Sequence, residues 1–99
     1  MNEFHYHFDW DAAKAAVNLR KHSVRFELAA TVFSDPLSLS IYDQVHGEQE
    51  DRWVTIGKAE DQLLVVVVHT WRDEDANIVR IRIISARPAN SYERQQYEG

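Results

Sequence analysis

The stretch that decides the fold is LLVVVVHT, residues 63–70, which is apolar without interruption from Leu63 to Val68. A strand of this kind is apolar on both faces, so it lies either at the centre of a sheet covered on both sides or against a partner molecule. We favour the central position. The rest of the chain should then supply neighbouring strands and the helices that cover them.

Four other segments are predicted to be strands, because apolar and polar residues alternate along them or polar connections bound them. In the first, Tyr6 and Phe8 fall on one side and His5 and His7 on the other. The charged stretch WRDEDAN, residues 71–77, is predicted to be a hairpin tip. The four predicted strands are residues 3–8, 37–42, 52–56 and 78–86.

A helix is predicted after the first strand, because Asp11 can accept from the first-turn amides of the run AAKAAVNLRKH that follows it. Its inward stripe is predicted to be Ala12, Ala13, Ala16 and Leu19. Its outward, cationic side is predicted to hold Lys14, Asn18 and Lys21.

Two more helices complete the prediction. Phe26, Ala29, Ala30 and Phe33 repeat at i, i+3, i+4 and i+7, and the SDP of residues 34–36 ends that helix. Residue 90, an Asn, followed by a Glu at 93, matches a capping box that opens a helix reaching about residue 97. The fold class is therefore α+β, a mostly antiparallel sheet with helices on one face, in the order β-α-α-β-β-β-β-α and as one domain over residues 1–99.

Composition excludes several function classes. The 99 residues contain no cysteine, so a disulfide framework, a thiolate nucleophile and cysteine-containing zinc sites are ruled out, and a reducing cytoplasmic location is expected. No apolar run reaches the roughly 20 residues of a membrane-spanning helix, and the first residues show no signal-peptide pattern. The three ungrouped glycines argue against nucleotide-cofactor loops.

Net charge alone argues against a nucleic-acid-binding protein, because 11 basic and 16 acidic residues give −5. The total hides a partition, however. Residues 43–61 carry six acids and two bases, whereas residues 14–25 and 76–92 carry seven bases and no acid. This pattern predicts a compact arginine-lined patch and not a broad basic surface.

The arginines of the last strand are the first candidates for chemistry. Arg80 and Arg82 alternate with isoleucines and leave the sheet on one face, and Arg87 follows just past the predicted end of that strand. Guanidinium groups suit phosphate oxygens and can offset charge that develops on a reacting phosphate. The alternative is a solvated face whose arginines pair with acids on a neighbouring strand.

Other candidates are weaker on the residues alone. Arg52 either pairs at the surface with Glu50 or Asp51 or reaches the arginine site, and Glu50 is a general base only if its surroundings raise its pKa. His22 adjoins Lys21, whose charge favours a neutral imidazole that can accept a proton, but a histidine at a helix end is also favoured by the helix dipole.

The remaining histidines and tryptophans have structural alternatives. His5 and His7 share a strand face and could chelate a metal, although two surface imidazoles without a third ligand are the commoner case. His69 is expected to be a satisfied strand-end residue. Trp53 and Trp71 could stack on bases, but Trp53 falls on the opposite face from Arg52, which favours core packing.

Four blocks of the sequence resemble the BrnT family of toxins from type II toxin–antitoxin systems. They are FDWDAAKAAVNLRKHSVRFELAATVFSDP, DRWVTIGKA, LLVVVVHTWR and IRIISARPANSYERQQY, in the family's order. The resemblance implies a RelE-like fold and a metal-independent ribonuclease, without a cofactor, that cuts mRNA in the cytoplasm. It also implies a ribbon-helix-helix antitoxin, BrnA, which represses the shared operon, so that operator DNA is reached only through the antitoxin.

The same resemblance assigns roles to particular residues. The catalytic set is Lys21, His22, Arg52 and Arg87, with Glu50 ranked last, and the substrate-binding set is Arg80, Arg82 and Trp53. His22 or Glu50 would take the proton of a ribose 2′-hydroxyl, Arg52 and Arg87 would neutralise the phosphate, and Lys21 would assist or protonate the leaving oxygen. No metal site is expected.

Three positions depart from the family pattern. Ser23 stands where a Gly usually closes the helix, Ala12 where a Pro commonly begins it, and Pro88 where a Lys is frequent. The missing Lys removes one expected phosphate contact. The alternative function is an inactive member that only binds antitoxin or RNA, and a third hypothesis is a metal-binding protein that uses His5 and His7.

Overall fold

The structure, a computed structural model, describes residues 5–44 and 51–99. The helices are α1 (Ala12–His22), α2 (Phe26–Ala30) and α3 (Ser91–Glu98), and a 3-10 turn (Thr31–Ser34) directly follows α2. The strands are β1 (His5–Asp9), β2 (Leu39–Tyr42), β3 (Arg52–Lys58), β4 (Leu64–Thr70), β5 (Arg72–Asp73) and β6 (Ile78–Pro88).

The sheet has the strand order β1-β6-β4-β3-β2, and the two-residue β5 pairs with β6. β4 lies between β3 and β6, and four consecutive residues at its start are buried, so the central position predicted for the apolar run is confirmed. β1 pairs with β6 in parallel, whereas every other pairing is antiparallel. The sheet is therefore mixed, which alternation could not predict because it carries no information on strand direction.

One sheet face is covered by α1, α2 and the 3-10 turn, and we call it the helical face. Val65, Val67, Ile81, Ile83 and Ala86 pack there against residues of α2 and the 3-10 turn, all in one buried cluster. Beside this cluster an aromatic group lies between β1 and the 3-10 turn, with ring centroids 5.5–6.2 Å apart. Its members are Tyr6, Phe8, Phe33 and Trp71.

The opposite face carries α3, so the prediction that all helices pack on one face is wrong. Ile56, Leu64 and Val66 alternate with the residues of the helical face, and they pack against Tyr97 of α3. β4 is apolar on both sides, so its second face also needs a cover, which α3 supplies. We call this second face the arginine face, because Arg80, Arg82 and Arg87 project from it.

An aspartate anchors α3 to the rest of the molecule. Tyr97 Oη donates to Asp35 Oδ2 at 2.6 Å, and the same carboxylate accepts from the Lys58 and Leu37 amides. Burial alone would raise the pKa of Asp35, but these hydrogen bonds, led by that of Tyr97, lower it overall. The pKa of Tyr97 is raised, chiefly because its hydroxyl donates to Asp35.

Several predicted boundaries differ from the structure. The second predicted helix ends at residue 30 and continues as the 3-10 turn, and two residues of the predicted hairpin tip form β5. Both helix caps are confirmed: Asp11 accepts from the Lys14 amide at 2.9 Å, and Asn90 forms a capping box with Glu93. No helix in residues 5–44 and 51–99 is long and apolar enough to cross a bilayer.

The inward stripe predicted for α1 is wrong. Ala12, Ala13 and Ala16 are exposed, whereas Asn18, predicted to face solvent, is 5% exposed and is the buried residue of the helix. The helix ends at His22 and is capped by Ser23, whose φ of 59° is in the left-handed region that favours glycine.

Candidate functional site

A β-bulge in β6 puts three arginines on one face. Val68 pairs with Ser85 but His69 pairs with Ile83, so Ile84 is an extra residue on the β6 side. Without it, Arg87 would project from the face opposite to Arg80 and Arg82. With it, all three share the arginine face, and Arg87 lies within β6 and not beyond its end.

Asn18 of α1 holds the helix against the open edge of β6. Its side-chain amide donates to Ala86 O at 2.8 Å and accepts from Ala86 N at 3.1 Å. It also donates to Val24 O at 3.0 Å, at the start of the segment after the helix. Pairing between β1 and β6 ends at Asp9 and Arg82, so this amide takes the place that a neighbouring strand would occupy.

A groove lies between α1 and the bulge of β6, with a volume of about 310 Å³. It brings Lys21 and His22 beside the strand segment that separates Arg82 from Arg87. Within the described residues the side chains of Lys14 and Lys21 form no hydrogen bond or ion pair. We call this the basic groove, and its lining residues are Ala13, Lys14, Val17, Asn18, Lys21, His22, Ile84 and Ser85.

Arg80 and Arg82 are paired with carboxylates. Both donate to Asp9 of the adjacent β1, at 3.2 and 3.5 Å, and Arg80 Nε also donates to Glu74. The hydrogen bond to Glu74, followed by that to Asp9, raises the pKa of Arg80. This is the alternative set out from the sequence, in which strand arginines pair with acids of a neighbouring strand.

Arg87 forms a bidentate ion pair with Glu93 of α3. Nη1 and Nη2 donate to the two carboxylate oxygens at 2.8 and 2.6 Å. Glu93 Oε1 also accepts from the Asn90 amide at 2.9 Å, so one carboxylate serves both the arginine and the helix cap. The hydrogen bond with Arg87 lowers the pKa of Glu93, and the same bond raises that of Arg87.

Arg52 lies apart from the groove. It pairs with Thr70 of β4, and Thr70 follows His69, whose partner on β6 is Ile83. Arg52 is thus in line with Arg82 on the arginine face but two strands away, or roughly 10 Å. Its neighbour Trp53 is on the other face, where its ring centroid lies 5.3 Å from that of Tyr42. Glu50 lies outside the described residues.

His69 is a buried histidine whose ring nitrogens are both hydrogen-bonded. Nδ1 donates to Thr70 O at 2.9 Å, and Nε2 accepts from Thr55 Oγ1 at 2.7 Å. Burial lowers its pKa to about 4, so the imidazole is neutral at pH 7. The prediction of a satisfied strand-end histidine is confirmed.

The other histidines give no metal cluster in the part of the chain that the structure describes. His5 and His7 are exposed on β1, and His7 pairs with Arg80, a cation that opposes metal binding. No group of three or more His, Asp or Glu side chains in residues 5–44 and 51–99 is placed to hold a metal ion.

The side of α1 predicted to hold Lys14, Asn18 and Lys21 does line the groove, together with His22. The burial of Asn18 on that side and the contribution of Val17, Ile84 and Ser85 were not predicted. Two signals were present: an Asn in the middle of an alanine-rich helix, where its propensity is poor, and the adjacent isoleucines at 83 and 84, which break the alternation of β6.

Comparison with known proteins assigns this α+β domain with a basic groove to a class. The chain belongs to the BrnT family, because the family model described as the ribonuclease toxin, BrnT, of type II toxin–antitoxin systems matches residues 10–93. The resemblance seen in the sequence is therefore confirmed. Membership makes the protein the ribonuclease toxin of such a system, with an antitoxin as its partner.

A solved structure has the same fold. The 1.1 Å crystal structure of the Brucella abortus ribonuclease toxin BrnT matches with a TM-score of 0.61 at 19% sequence identity. The match covers 92% of this chain and 99% of that chain. At this identity the likeness extends to the fold alone. A search of curated proteins gave no match.

Proposed function

We propose that the protein is a metal-independent endoribonuclease of RelE-like fold that cuts mRNA in the cytoplasm and thereby stops translation. Its antitoxin would be of the ribbon-helix-helix type, BrnA, and operator DNA would be reached only through that antitoxin. Family membership supports ribonuclease activity. The observation that carries the site is the basic groove, where Lys21 and His22 lie beside the segment between Arg82 and Arg87.

The reaction is the attack of a ribose 2′-hydroxyl on the adjacent phosphate. A bond forms between O2′ and phosphorus as the bond from phosphorus to O5′ breaks, which leaves a 2′,3′-cyclic phosphate and a 5′-hydroxyl. His22 or Glu50 takes the proton of the 2′-hydroxyl, and Lys21 assists or donates one to the leaving O5′. Each such proton transfer contributes about 10²–10⁴-fold.

Arginines neutralise the charge that builds up on the phosphate. Of Arg52 and Arg87, the two arginines assigned to this role, Arg87 is the nearer to the groove, because it lies on β6, whereas Arg52 lies two strands away on β3. Arg80 and Arg82 are assigned to binding of the flanking RNA, whereas Trp53, which lies on the opposite sheet face against Tyr42, is left out of this set. Glu93 holds Arg87, so a phosphate must compete with this carboxylate for the guanidinium, and a dianionic transition state competes better than a ground-state monoanion does.

Cleavage of RNA in the presence of EDTA tests the proposal. We expect the purified wild-type chain to cut single-stranded RNA without a divalent metal and to release 2′,3′-cyclic phosphate ends. Arg87→Ala should lower kcat at least 100-fold, and Arg52→Ala should lower it too. Arg94→Ala, an exposed arginine of α3, is the matched control and should cut as the wild type does.

Growth of a bacterial host gives the second readout. Induction of this chain alone should arrest growth, and co-expression of the antitoxin should restore it. If the wild-type chain neither arrests growth nor cuts RNA, the alternative of an inactive binding member replaces the proposal. That alternative has one observation in its favour, since Arg80, Arg82 and Arg87 are all paired with carboxylates.

A further inference from the structure

We propose that the basic groove is the subsite that binds the nucleotide next to the cleaved phosphate. In this subsite Lys14 binds a phosphate, Val17 and Ile84 contact the base, and Ser85 bonds to the base edge. This inference rests on the proposed ribonuclease function and adds four groups, Lys14, Val17, Ile84 and Ser85, to which neither the sequence nor the family assigned a role.

The charge of the groove suits an anion. Lys14 and Lys21 both line it, and no acidic side chain is among its lining residues. A larger cavity of about 410 Å³, beside the 3-10 turn, is different, because Asp35 and Glu60 line it together with Lys58. A phosphate would meet two carboxylates there and none in the basic groove.

The groove also has an apolar wall, which a bare phosphate would not use. Val17 is 49% exposed on α1, and Ala13 and Ile84 line the same cavity. Exposed apolar surface beside cations fits a ligand with an anionic part and a flat apolar part. An unpaired nucleotide is such a ligand, whereas duplex RNA keeps its bases stacked and offers mainly its backbone and sugars.

Ser85 is the group that can discriminate between bases. The Asn18 side chain donates to Ala86 and Val24 and accepts from Ala86, so it is held by the protein. Apart from His22, which is assigned to proton transfer, the Ser85 hydroxyl is the neutral lining group that can hydrogen-bond to a ligand. A hydroxyl can donate and accept, so it can bond to a base edge. The bulge holds Ser85 beside α1, so the base lies between strand and helix.

Steady-state kinetics on single-stranded RNA test the subsite. Lys14→Gln should raise KM about 5- to 10-fold with little change in kcat, because Lys14 binds the nucleotide and does not touch the reacting atoms. Lys58→Gln removes the same charge outside the groove and should leave KM unchanged. Equal effects of the two substitutions, or no effect of Lys14→Gln, would overturn the proposal.

Two substitutions of opposite charge at one exposed position of α1 give a second test of the subsite. Val17→Glu should raise KM clearly more than Val17→Lys does, because both lose the apolar contact with the base but only the glutamate also repels the phosphates; both residues are good helix formers, so neither should unfold α1. Ser85→Ala should redistribute the sites that are cut and leave total cleavage within about threefold. A KM as high for Val17→Lys as for Val17→Glu, or an unchanged cleavage pattern for Ser85→Ala, contradicts the subsite.

Binding separates this inference from the proposed function. A single-stranded oligonucleotide methylated at every 2′-hydroxyl cannot react by this chemistry, so its fluorescence anisotropy reports binding alone. The slope of log affinity against log salt should fall by about 0.7 for Lys14→Gln and not for Lys58→Gln. If the wild type cuts no RNA, the proposed function fails. The salt dependence still shows whether Lys14 contacts a phosphate of the RNA bound in the groove.

Discussion

The two halves of β6 meet different neighbours along the edge that faces away from β4. Residues 78–82 pair with β1, a neighbouring strand, and Arg80 and Arg82 of that half are held by Asp9. Residues 84–88 meet a helix, because β1 has ended and Asn18 bonds to both polar groups of Ala86. A strand edge that a short neighbour leaves open can thus be closed by one side-chain amide and still leave space for a ligand.

Replacement of Asn18 should have the largest effect, because it removes the contact between α1 and the second half of β6. Asn18→Leu removes three hydrogen bonds and leaves the buried N–H and C=O of Ala86 without partners. Each unsatisfied group costs about 1–3 kcal/mol, so we expect a loss of roughly 3 kcal/mol in the free energy of unfolding, measured by urea denaturation. Asn77→Leu in the exposed connection before β6 is the control. A loss below about 1 kcal/mol would show that the amide does not hold α1 on the edge.

His69 lies at the bulge, where the two halves meet, and should make stability depend on pH. Its pKa is 6.5 in the unfolded chain and about 4 in the fold. Above pH 6.5 the imidazole is neutral in both states. As pH falls from 6.5 to 4, the unfolded chain binds a proton that the folded chain cannot, so the free energy of unfolding decreases by up to about 3 kcal/mol.

The measurement is urea denaturation of the wild type and of His69→Gln at pH 7 and pH 4.5. The difference between the two proteins isolates the histidine, because their carboxylates are the same. The variant should lose less stability than the wild type between the two pH values. Parallel losses would mean that His69 is not held neutral at the bulge.

Ser23 tests whether the end of α1 beside the groove is strained. Its φ of 59° disfavours a side chain, so Ser23→Gly should raise the free energy of unfolding by about 1 kcal/mol in thermal or urea denaturation. Ser34→Gly in the 3-10 turn should lower the free energy of unfolding, since glycine there only adds conformational freedom to the unfolded chain. If Ser23→Gly lowered the free energy of unfolding, the backbone at Ser23 would not be strained.

The smallest expected effect concerns the first half of β6. Asp9→Asn removes the carboxylate shared by Arg80 and Arg82, and surface ion pairs contribute little, so thermal stability should hardly change. If these arginines bind flanking RNA, affinity for single-stranded RNA should rise about two- to threefold. Glu27→Gln on α2 makes the same change in net charge elsewhere. A gain shared by Glu27→Gln would reflect net charge and not the freed arginines.

The elements of the fold were predictable because each has a local cause. Asp11 and Asn90 cap their helices as expected, and the uninterrupted apolar run occupies the centre of the sheet. The parallel pairing of β1 was not predictable, since it depends on contacts between distant segments. The cover of the second face by α3 follows in principle from the two apolar faces of β4, but periodicity does not say which helix provides it.

The candidate site was predictable only in part, because it too depends on contacts between segments that are distant in the sequence. Charge segregation indicated Lys21 and His22, which line the groove, and the arginines of β6, none of which is among its lining residues. The burial of Asn18 and the shift of Arg87 to the arginine face depend on one tertiary hydrogen-bonding pattern and one extra residue in a strand. Charge and periodicity do not predict either feature.

The contact between Asn18 and Ala86 joins positions 68 residues apart. Closing so long a loop is entropically expensive, and it must precede the contacts that reward it. The two walls of the groove are therefore separated in any partly folded chain that has not yet docked β6. A fluctuation that detaches only β6 from α1 should abolish RNA binding while much of the secondary structure persists, so hydrogen exchange at the Ala86 amide would report the lifetime of the competent state.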